Sequence, residues 1–104
     1  MHFICHADDI KEGASKGFIV NGMAIFGVKQ NGSLFFYKNR CPHLGAEMEW
    51  MDDEFLNESR ELIRCQFHGA LFKIENGECV SGPCAGDKLT KLEVLVDDSA
   101  VYYA

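Results

Sequence analysis

Short apolar runs separated by tight-turn dipeptides dominate the chain. Asn21-Gly22, Asn31-Gly32 and Asn76-Gly77 each separate two apolar or β-branched runs. Asn-Gly favours a two-residue type I′ hairpin turn, because both central positions of that turn need a positive φ. The apolar runs predict strands near residues 18–20, 23–29, 34–38, 62–64, 70–74, 78–80, 91–96 and 101–103. Strands of this length and spacing predict an all-β fold, a small antiparallel sandwich or barrel.

Two segments depart from the strand pattern. Residues 8–13, DDIKEG, predict a turn or a single helical turn that ends at Gly13. Residues 47–61 carry seven of the sixteen acidic residues and place apolar side chains at roughly helical spacing. This pattern fits both a short amphipathic helix and an ordered acidic loop. Its Met48, Trp50 and Met51 are interpreted as covering a small core rather than as a docking patch.

Length and charge narrow the class of protein. A chain of 104 residues fits a single domain, residues 1–104, and its net charge of −6 argues against a nucleic-acid partner. No apolar run approaches the roughly 20 residues of a membrane-spanning helix, and the N-terminus shows no secretory signal. We therefore expect a cytoplasmic protein with no membrane partner. The negative charge suits a carrier that docks on a positively charged surface.

Cysteine and histidine supply the chemistry. The chain has five cysteines. Because thiols stay reduced in the cytoplasm, these cysteines indicate metal ligation rather than disulfide bonding. Cys41-Pro42-His43 and Cys65-Gln66-Phe67-His68 each offer one thiolate and one imidazole from a predicted turn, with Gly45 and Gly69 close behind. A tetrahedral zinc site is chemically reasonable for this set. Zinc fingers, however, pair Cys with Cys and His with His on separate elements. One Cys and one His per loop suits a two-iron cluster in which one iron takes both thiolates and the other both imidazoles.

With these motifs, written CPHLG and CQFHG, the sequence closely resembles the Rieske-type ferredoxin family over nearly its whole length. The resemblance implies an all-β Rieske iron-sulfur domain with a base of antiparallel strands and a two-loop cluster-binding lobe at about residues 39–72. By analogy, one [2Fe-2S] cluster is held by Cys41 and Cys65 on the inner iron and by His43 and His68 on the outer iron. The resemblance also implies that Leu44, Gly45, Gly69 and Pro83 shield the cluster, the last within a Ser81-Gly82-Pro83 loop.

Some positions depart from the family pattern. The spacer from Leu44 to Arg64 holds 21 residues, somewhat more than is usual, and is unusually acidic. Ala46 and Phe67 stand where high-potential respiratory members carry an additional disulfide. Ala70 and Phe72 replace hydroxyl donors that lie near the cluster sulfurs in those members. Hydrogen bonds to the sulfurs stabilise the more negative, reduced cluster. Because this chain offers fewer of them, we expect its reduction potential in the lower part of the Rieske range.

The resemblance implies an electron-transfer protein with no enzymatic activity of its own and no small-molecule substrate. Its expected role is one-electron transfer from a flavin-dependent reductase to a terminal oxygenase or a similar acceptor. One alternative is a small subunit or partner of an assimilatory nitrite reductase. Others are a zinc-stabilised interaction module and a redox or iron sensor. The sequence shows no Ser/His/Asp set or paired carboxylates that would indicate catalysis.

The remaining cysteines and histidines have simpler interpretations. Cys5, Cys79 and Cys84 are predicted to be small buried hydrophobes, with Cys84 near the cluster but not a ligand. His2 and His6 are predicted to be solvated or on an edge strand. The acidic 47–61 segment is interpreted as a solvated face, with steering of a basic partner as the alternative.

Overall fold

A computed structural model describes residues 2–40, 55–65, 69–82 and 86–103 of the chain. Within these ranges the regular structure is nine β-strands and one short 3₁₀ turn, Ala7–Asp9. The strands are β1 His2–His6, β2 Ser15–Val20, β3 Met23–Gln30, β4 Ser33–Lys38, β5 Leu62–Arg64, β6 Leu71–Lys73, β7 Cys79–Ser81, β8 Val94–Asp97 and β9 Ala100–Tyr103. The predicted all-β class is confirmed.

The strands form three antiparallel sheets of three strands each among the described residues. The terminal sheet has the order β1-β9-β8, the central sheet β2-β3-β4 and the loop sheet β5-β6-β7. The two ends of the described chain pair with each other, since His2 lies opposite Tyr103 in the terminal sheet. β1 is a strand that the sequence pattern did not predict, because its partner β9 lies at the other end of the chain.

The central sheet buries side chains on both of its faces. Along β3, Ile25 belongs to a core shared with the terminal sheet, whereas Phe26 and Val28 belong to a core shared with the loop sheet. β4 divides in the same way, with Phe36 in the first core and Tyr37 in the second. Because side chains alternate along a strand, an unbroken apolar run such as Ile25–Val28 places the central sheet between the other two.

Residues 87–97, here called the closing segment, connect all three sheets. Leu89 donates its amide to the Gly77 carbonyl beside the loop sheet, at 2.8 Å. Farther along, Thr90 accepts from Lys38 N–H and Leu92 donates to the Phe36 carbonyl of the central sheet. The segment ends as β8, paired with β9. The predicted strand at 91–96 is therefore shifted, because residues 91 and 92 contact the central sheet before β8 begins.

Two of the three Asn-Gly pairs form the predicted type I′ turn. Asn21-Gly22 and Asn31-Gly32 both have positive φ at each residue, as a type I′ turn requires. At Asn76-Gly77 only the glycine has positive φ, and the hairpin closes over residues 74–77 through the amide of Gly77 and the carbonyl of Lys73. The type I′ prediction is wrong there. The β8–β9 hairpin instead uses Asp98-Ser99, both at positive φ without a glycine.

Smaller predictions also have clear outcomes. The single turn predicted to end at Gly13 is instead two turns: the 3₁₀ turn Ala7–Asp9 lies earlier, and a second turn, closed by the Ala14 amide and the Lys11 carbonyl, contains Gly13. His2 and His6 are exposed on β1, an edge strand, and Cys5 and Cys79 are buried, as predicted. In the 47–61 segment, the described residues from 55 onward form no helix: Leu56 makes a β-bridge with Ile63, followed by a turn. Met48, Trp50, Met51 and Cys84 lie outside the described residues.

The Cys5 thiol makes the stability of the fold sensitive to alkaline pH. Burial, with a smaller contribution from the Asp9 carboxylate, raises the pKa of Cys5 from its ordinary 9.0 to about 11. Between these values the unfolded chain loses the Cys5 proton first, so the free energy of unfolding falls as pH rises. We expect Cys5→Ala to show a shallower fall than the parent when urea unfolding is compared below pH 9 and near pH 11. Equal falls in the two proteins would contradict this assignment.

Candidate metal centre

The second ligand motif lies on a short loop whose two ends are fixed by backbone hydrogen bonds. Cys65 directly follows β5, and its amide donates to the Ala70 carbonyl at 2.9 Å. The Gly69 amide donates back to the Cys65 carbonyl at 2.8 Å. Gly69 has a φ of 69°, a left-handed conformation that glycine adopts without steric cost. These hydrogen bonds hold together the two ends of the 65–69 segment, here called the second loop, between β5 and β6.

The Cys65 side chain is fully buried and belongs to the core between the central and loop sheets. Ala70 and Phe72, which follow on the β6 side, are fully buried in the same core. Neither carries a hydroxyl group, so these two positions contribute no side-chain hydrogen bond to a group held by Cys65. Cys65 thus lies in a site from which water is excluded on the core side.

A third element packs against the second loop at Gly82. Gly82 follows β7 with a φ of 104°, and a Cβ atom built on it would lie 2.8 Å from the Cα atom of Ala70. That distance is shorter than Cβ contacts in real proteins. Only a glycine therefore lets the chain after Ser81 come this close to the end of the second loop. The predicted Ser81-Gly82-Pro83 loop begins here, and Pro83 itself lies outside the described residues.

The chain that leads to the first ligand motif is held to the central sheet up to Arg40. Asn39 is buried and donates its amide to the Ala24 carbonyl. The description resumes at Phe55, whose amide donates to the Ser15 hydroxyl at 3.2 Å. The Phe55 ring stacks on Phe26 with ring centroids 4.4 Å apart. Both ends of the intervening segment are therefore anchored on the central sheet.

An open cleft of about 440 Å³ borders the second loop. It is lined by Asn57, Glu58, Ser59, Arg64, Gly69 and Leu71. The Asn57 carboxamide oxygen accepts hydrogen bonds from the amides of Glu61 and Leu62, which orders the turn that leads into β5. This role of Asn57 was not predicted, although asparagine is a turn-forming residue and Asn57 lies in the turn that precedes β5.

The structure describes only part of the predicted ligand set. It places Cys65 and Gly69 on the second loop. Cys41, His43, Leu44, Gly45, His68 and Pro83 lie outside the described residues. Within the described part of the chain, no three or more His, Cys, Asp or Glu side chains are arranged to hold a metal. The assignment of Cys41, His43, Cys65 and His68 as ligands remains a prediction.

The fold and site together define an all-β domain in which the second loop, bounded by Cys65 and Gly69, has the chain at Gly82 packed beside its end. Comparison with known families agrees: residues 1–96 match the family model described as the Rieske [2Fe-2S] domain. The chain belongs to the Rieske [2Fe-2S] domain family.

Known relatives include both short carriers and much longer proteins. The ferredoxin component of the naphthalene 1,2-dioxygenase/salicylate 5-hydroxylase systems of Ralstonia sp. is 36% identical over 80 residues, 77% of this chain and 72% of that protein. Human apoptosis-inducing factor 3 is 30% identical over 99 residues, 95% of this chain and 15% of that protein. The chain therefore spans only about 15% of the length of the latter relative.

A solved structure shows a similar fold. It is described as a complex of reduced oxygenase and oxidized ferredoxin in carbazole 1,9a-dioxygenase. Its matching chain has a TM-score of 0.74 and 25% sequence identity, over 96% of this chain and 97% of that one. Within the described residues of our structure, no helix is long and apolar enough to cross a membrane.

The cofactor of this family is a [2Fe-2S] cluster, and the described residues fit it. A buried thiol at the start of the second loop is a suitable iron ligand, because thiolates hold iron-sulfur clusters. Gly82 lets the chain after β7 approach Ala70, next to the end of the second loop, without side-chain obstruction.

The left-handed conformation of Gly69 offers a test of the site. Gly69→Ala and Gly13→Ala form a matched pair, since both glycines have similar positive φ values, 69° and 75°, and open space at the Cβ position. Each substitution is expected to destabilise the fold by about 1–2 kcal/mol. Only Gly69→Ala is expected also to lower the iron and sulfide content of the purified protein. Equal metal content in the two variants would contradict a role of the second loop in the metal centre.

Proposed function

We propose that this protein carries single electrons through a [2Fe-2S] cluster held by Cys41, His43, Cys65 and His68. The observation that carries this proposal is the second loop: it starts at Cys65, which is buried in the core, its two ends are hydrogen-bonded to each other, and Gly82 packs on Ala70 just after it. When bound, the cluster takes up and releases one electron. The part played by the chain itself is to bind the cluster, to exclude water from its inner side and to leave its outer side open to partners.

Each proposed residue has a physical role. Cys41 and Cys65 supply thiolates to the inner iron, and Cys65 lies where the core removes water from the inner side. His43 and His68 supply neutral imidazoles to the outer iron, which leaves the cluster less negative and easier to reduce than one with four thiolates. Leu44, Gly45, Gly69 and Pro83 shield the cluster, within a lobe that spans about residues 39–72.

The proposed partners are a flavin-dependent reductase as electron donor and a terminal oxygenase as acceptor. The oxygenase is supported by the Ralstonia relative, the ferredoxin component of naphthalene 1,2-dioxygenase/salicylate 5-hydroxylase systems, and by the similar solved structure, a complex of ferredoxin with oxygenase. In this role the chain transfers electrons and carries out no reaction on a substrate. We propose that the chain acts in the cytoplasm.

The direct test is a count of iron, sulfide and zinc combined with absorption and low-temperature EPR spectra of oxidised and dithionite-reduced protein. We expect iron and sulfide in equal amounts and a reduced-state signal whose average g value lies below that of the free electron. A colourless protein that contains zinc and no sulfide, prepared anaerobically with sufficient iron, would overturn the proposal.

Two buried cysteines of one core provide a matched test of the ligand assignment. Cys65 and Cys79 are 0% and 4% exposed and belong to the same hydrophobic cluster. We expect Cys65→Ser to lose the Rieske spectrum, because serine does not replace a thiolate ligand. Cys79→Ser should keep the spectrum, since its hydroxyl can still donate to the Ser81 carbonyl that Cys79 contacts. A Cys65→Ser protein with an unchanged spectrum would remove Cys65 from the ligand set.

The acidic segment 47–61 is proposed to steer the reductase towards the metal centre. Neutralisation of Asp52, Asp53 and Glu54 by Asn, Asn and Gln should slow reduction by the reductase at low salt and have no effect at high salt, because salt screens charges beyond about 10 Å at 0.1 M. The rate of reduction measured by stopped-flow absorbance checks this.

A charge-matched control for steering lies at the terminal sheet. Replacement of Glu93, Asp97 and Asp98 by the corresponding amides also removes three negative charges, here from β8 and the residues next to it. The terminal sheet and the loop sheet pack on opposite faces of the central sheet. An equal decrease in rate for both sets of substitutions would contradict local steering and indicate an effect of net charge alone.

A further inference from the structure

Tyr37 connects two sheets that no strand pairing joins within the described residues. The central sheet and the loop sheet are separate in their backbone hydrogen bonding. Tyr37, on β4, is fully buried in the core between them. Its hydroxyl donates a hydrogen bond to the carbonyl oxygen of Ile74, the residue that follows β6. This side chain therefore ties a strand of one sheet directly to the end of a strand of the other.

The position of this hydrogen bond along the chain matters. β4 ends at Lys38, and the first ligand motif begins only three residues later, at Cys41. β6 begins at Leu71, just after the second loop, and Ile74 is the residue that follows β6. One end of the hydrogen bond thus lies on the strand that leads into the first motif. The other end lies on the strand that leaves the second loop.

The 74–77 turn is shaped to receive the Tyr37 ring. A Cβ atom on Gly77 would lie 2.8 Å from the Cε1 atom of Tyr37, so a side chain at position 77 would displace the ring. The Lys91 ammonium donates to the Glu75 carbonyl of the same turn at 3.4 Å. The turn is therefore packed on Tyr37 and held from the closing segment as well.

The Tyr37 hydroxyl also remains a donor over the pH range in which proteins are handled. Burial raises the pKa of Tyr37 well above its ordinary value, and the Glu75 carboxylate raises it further. Because the phenol stays protonated, the hydrogen bond to Ile74 does not depend on pH in this range.

We propose that Tyr37 is a positioning residue for the metal centre, which sets the first ligand motif against the second loop through its hydrogen bond to Ile74. This inference rests on the proposed ligand assignment. In that assignment two ligands come from each motif, so a cluster is held well only when the two motifs keep a fixed separation. Tyr37 acts through the two strands that carry the motifs.

The test compares Tyr37→Phe with Phe36→Leu in cluster-loaded protein. Phe36 is the adjacent residue of β4, is equally buried and faces the opposite core, shared with the terminal sheet. Both variants are expected to fold and to be modestly less stable. Only Tyr37→Phe should lose its absorbance to an iron chelator faster, by about fivefold, the factor in an equilibrium constant that corresponds to one net hydrogen bond. Its EPR lines should also broaden or shift, which general destabilisation does not cause.

A second pair of variants tests the same idea without removal of the hydroxyl. Gly77→Ala crowds the Tyr37 ring, whereas Gly13→Ala has nearly the same φ, 75° against 74°, and open space around its Cβ. We expect faster cluster loss only in Gly77→Ala. Chelation rates for Tyr37→Phe and Gly77→Ala no higher than those of their controls would overturn the positioning role while leaving the proposed function intact. A parent protein without iron and sulfide would overturn the ligand assignment, and this inference with it.

Discussion

The burial of both faces of the central sheet is the constraint on which the rest of the structure depends. A strand with apolar side chains on both faces is stable only when another layer covers each of them. Ile25 and Phe36 require the terminal sheet, and Phe26, Val28 and Tyr37 require the loop sheet. The packing of the loop sheet on the central sheet matters for the proposed function, because Cys65 directly follows β5 of the loop sheet. The proposed metal centre is thus built onto a layer whose place is set by hydrophobic burial.

Backbone hydrogen bonding reinforces this arrangement through the closing segment. Residues 87–97 contact the loop sheet, the central sheet and the terminal sheet in turn. Relative motion of any two sheets would therefore break hydrogen bonds in this one segment. Gly82 and Gly77 permit the closest approaches on the loop-sheet side, to Ala70 and to the Tyr37 ring. A glycine at such a position has no side chain to pack, and two backbone segments can therefore lie closer together. This suits a site where several loops must meet.

The placement of the two described ends fits the range of lengths among the relatives. The chain matches 72% of a ferredoxin component from Ralstonia and about 15% of a much longer human protein. The two ends of the described chain lie side by side, with the His2 and Tyr103 rings stacked 4.9 Å apart. Adjacent ends allow a domain to be joined to other chains with little disturbance of its core. They lie on the terminal sheet, across the central sheet from the second loop.

Several features could be predicted from the sequence because they depend on neighbouring residues. They are the strands of the central and loop sheets, the hairpins at Asn21-Gly22 and Asn31-Gly32, the family and its cofactor. Turn dipeptides and strand alternation are properties of neighbouring residues, and CPHLG and CQFHG are short motifs. The tertiary structure alone decided the pairing of β1 with β9, the shifted start of β8 and the non-type-I′ turn at Asn76-Gly77. It also decided the contacts of Gly82 with Ala70 and of Tyr37 with Ile74. Each of these depends on which distant segment lies opposite, and that choice follows from how the whole chain buries its apolar side chains.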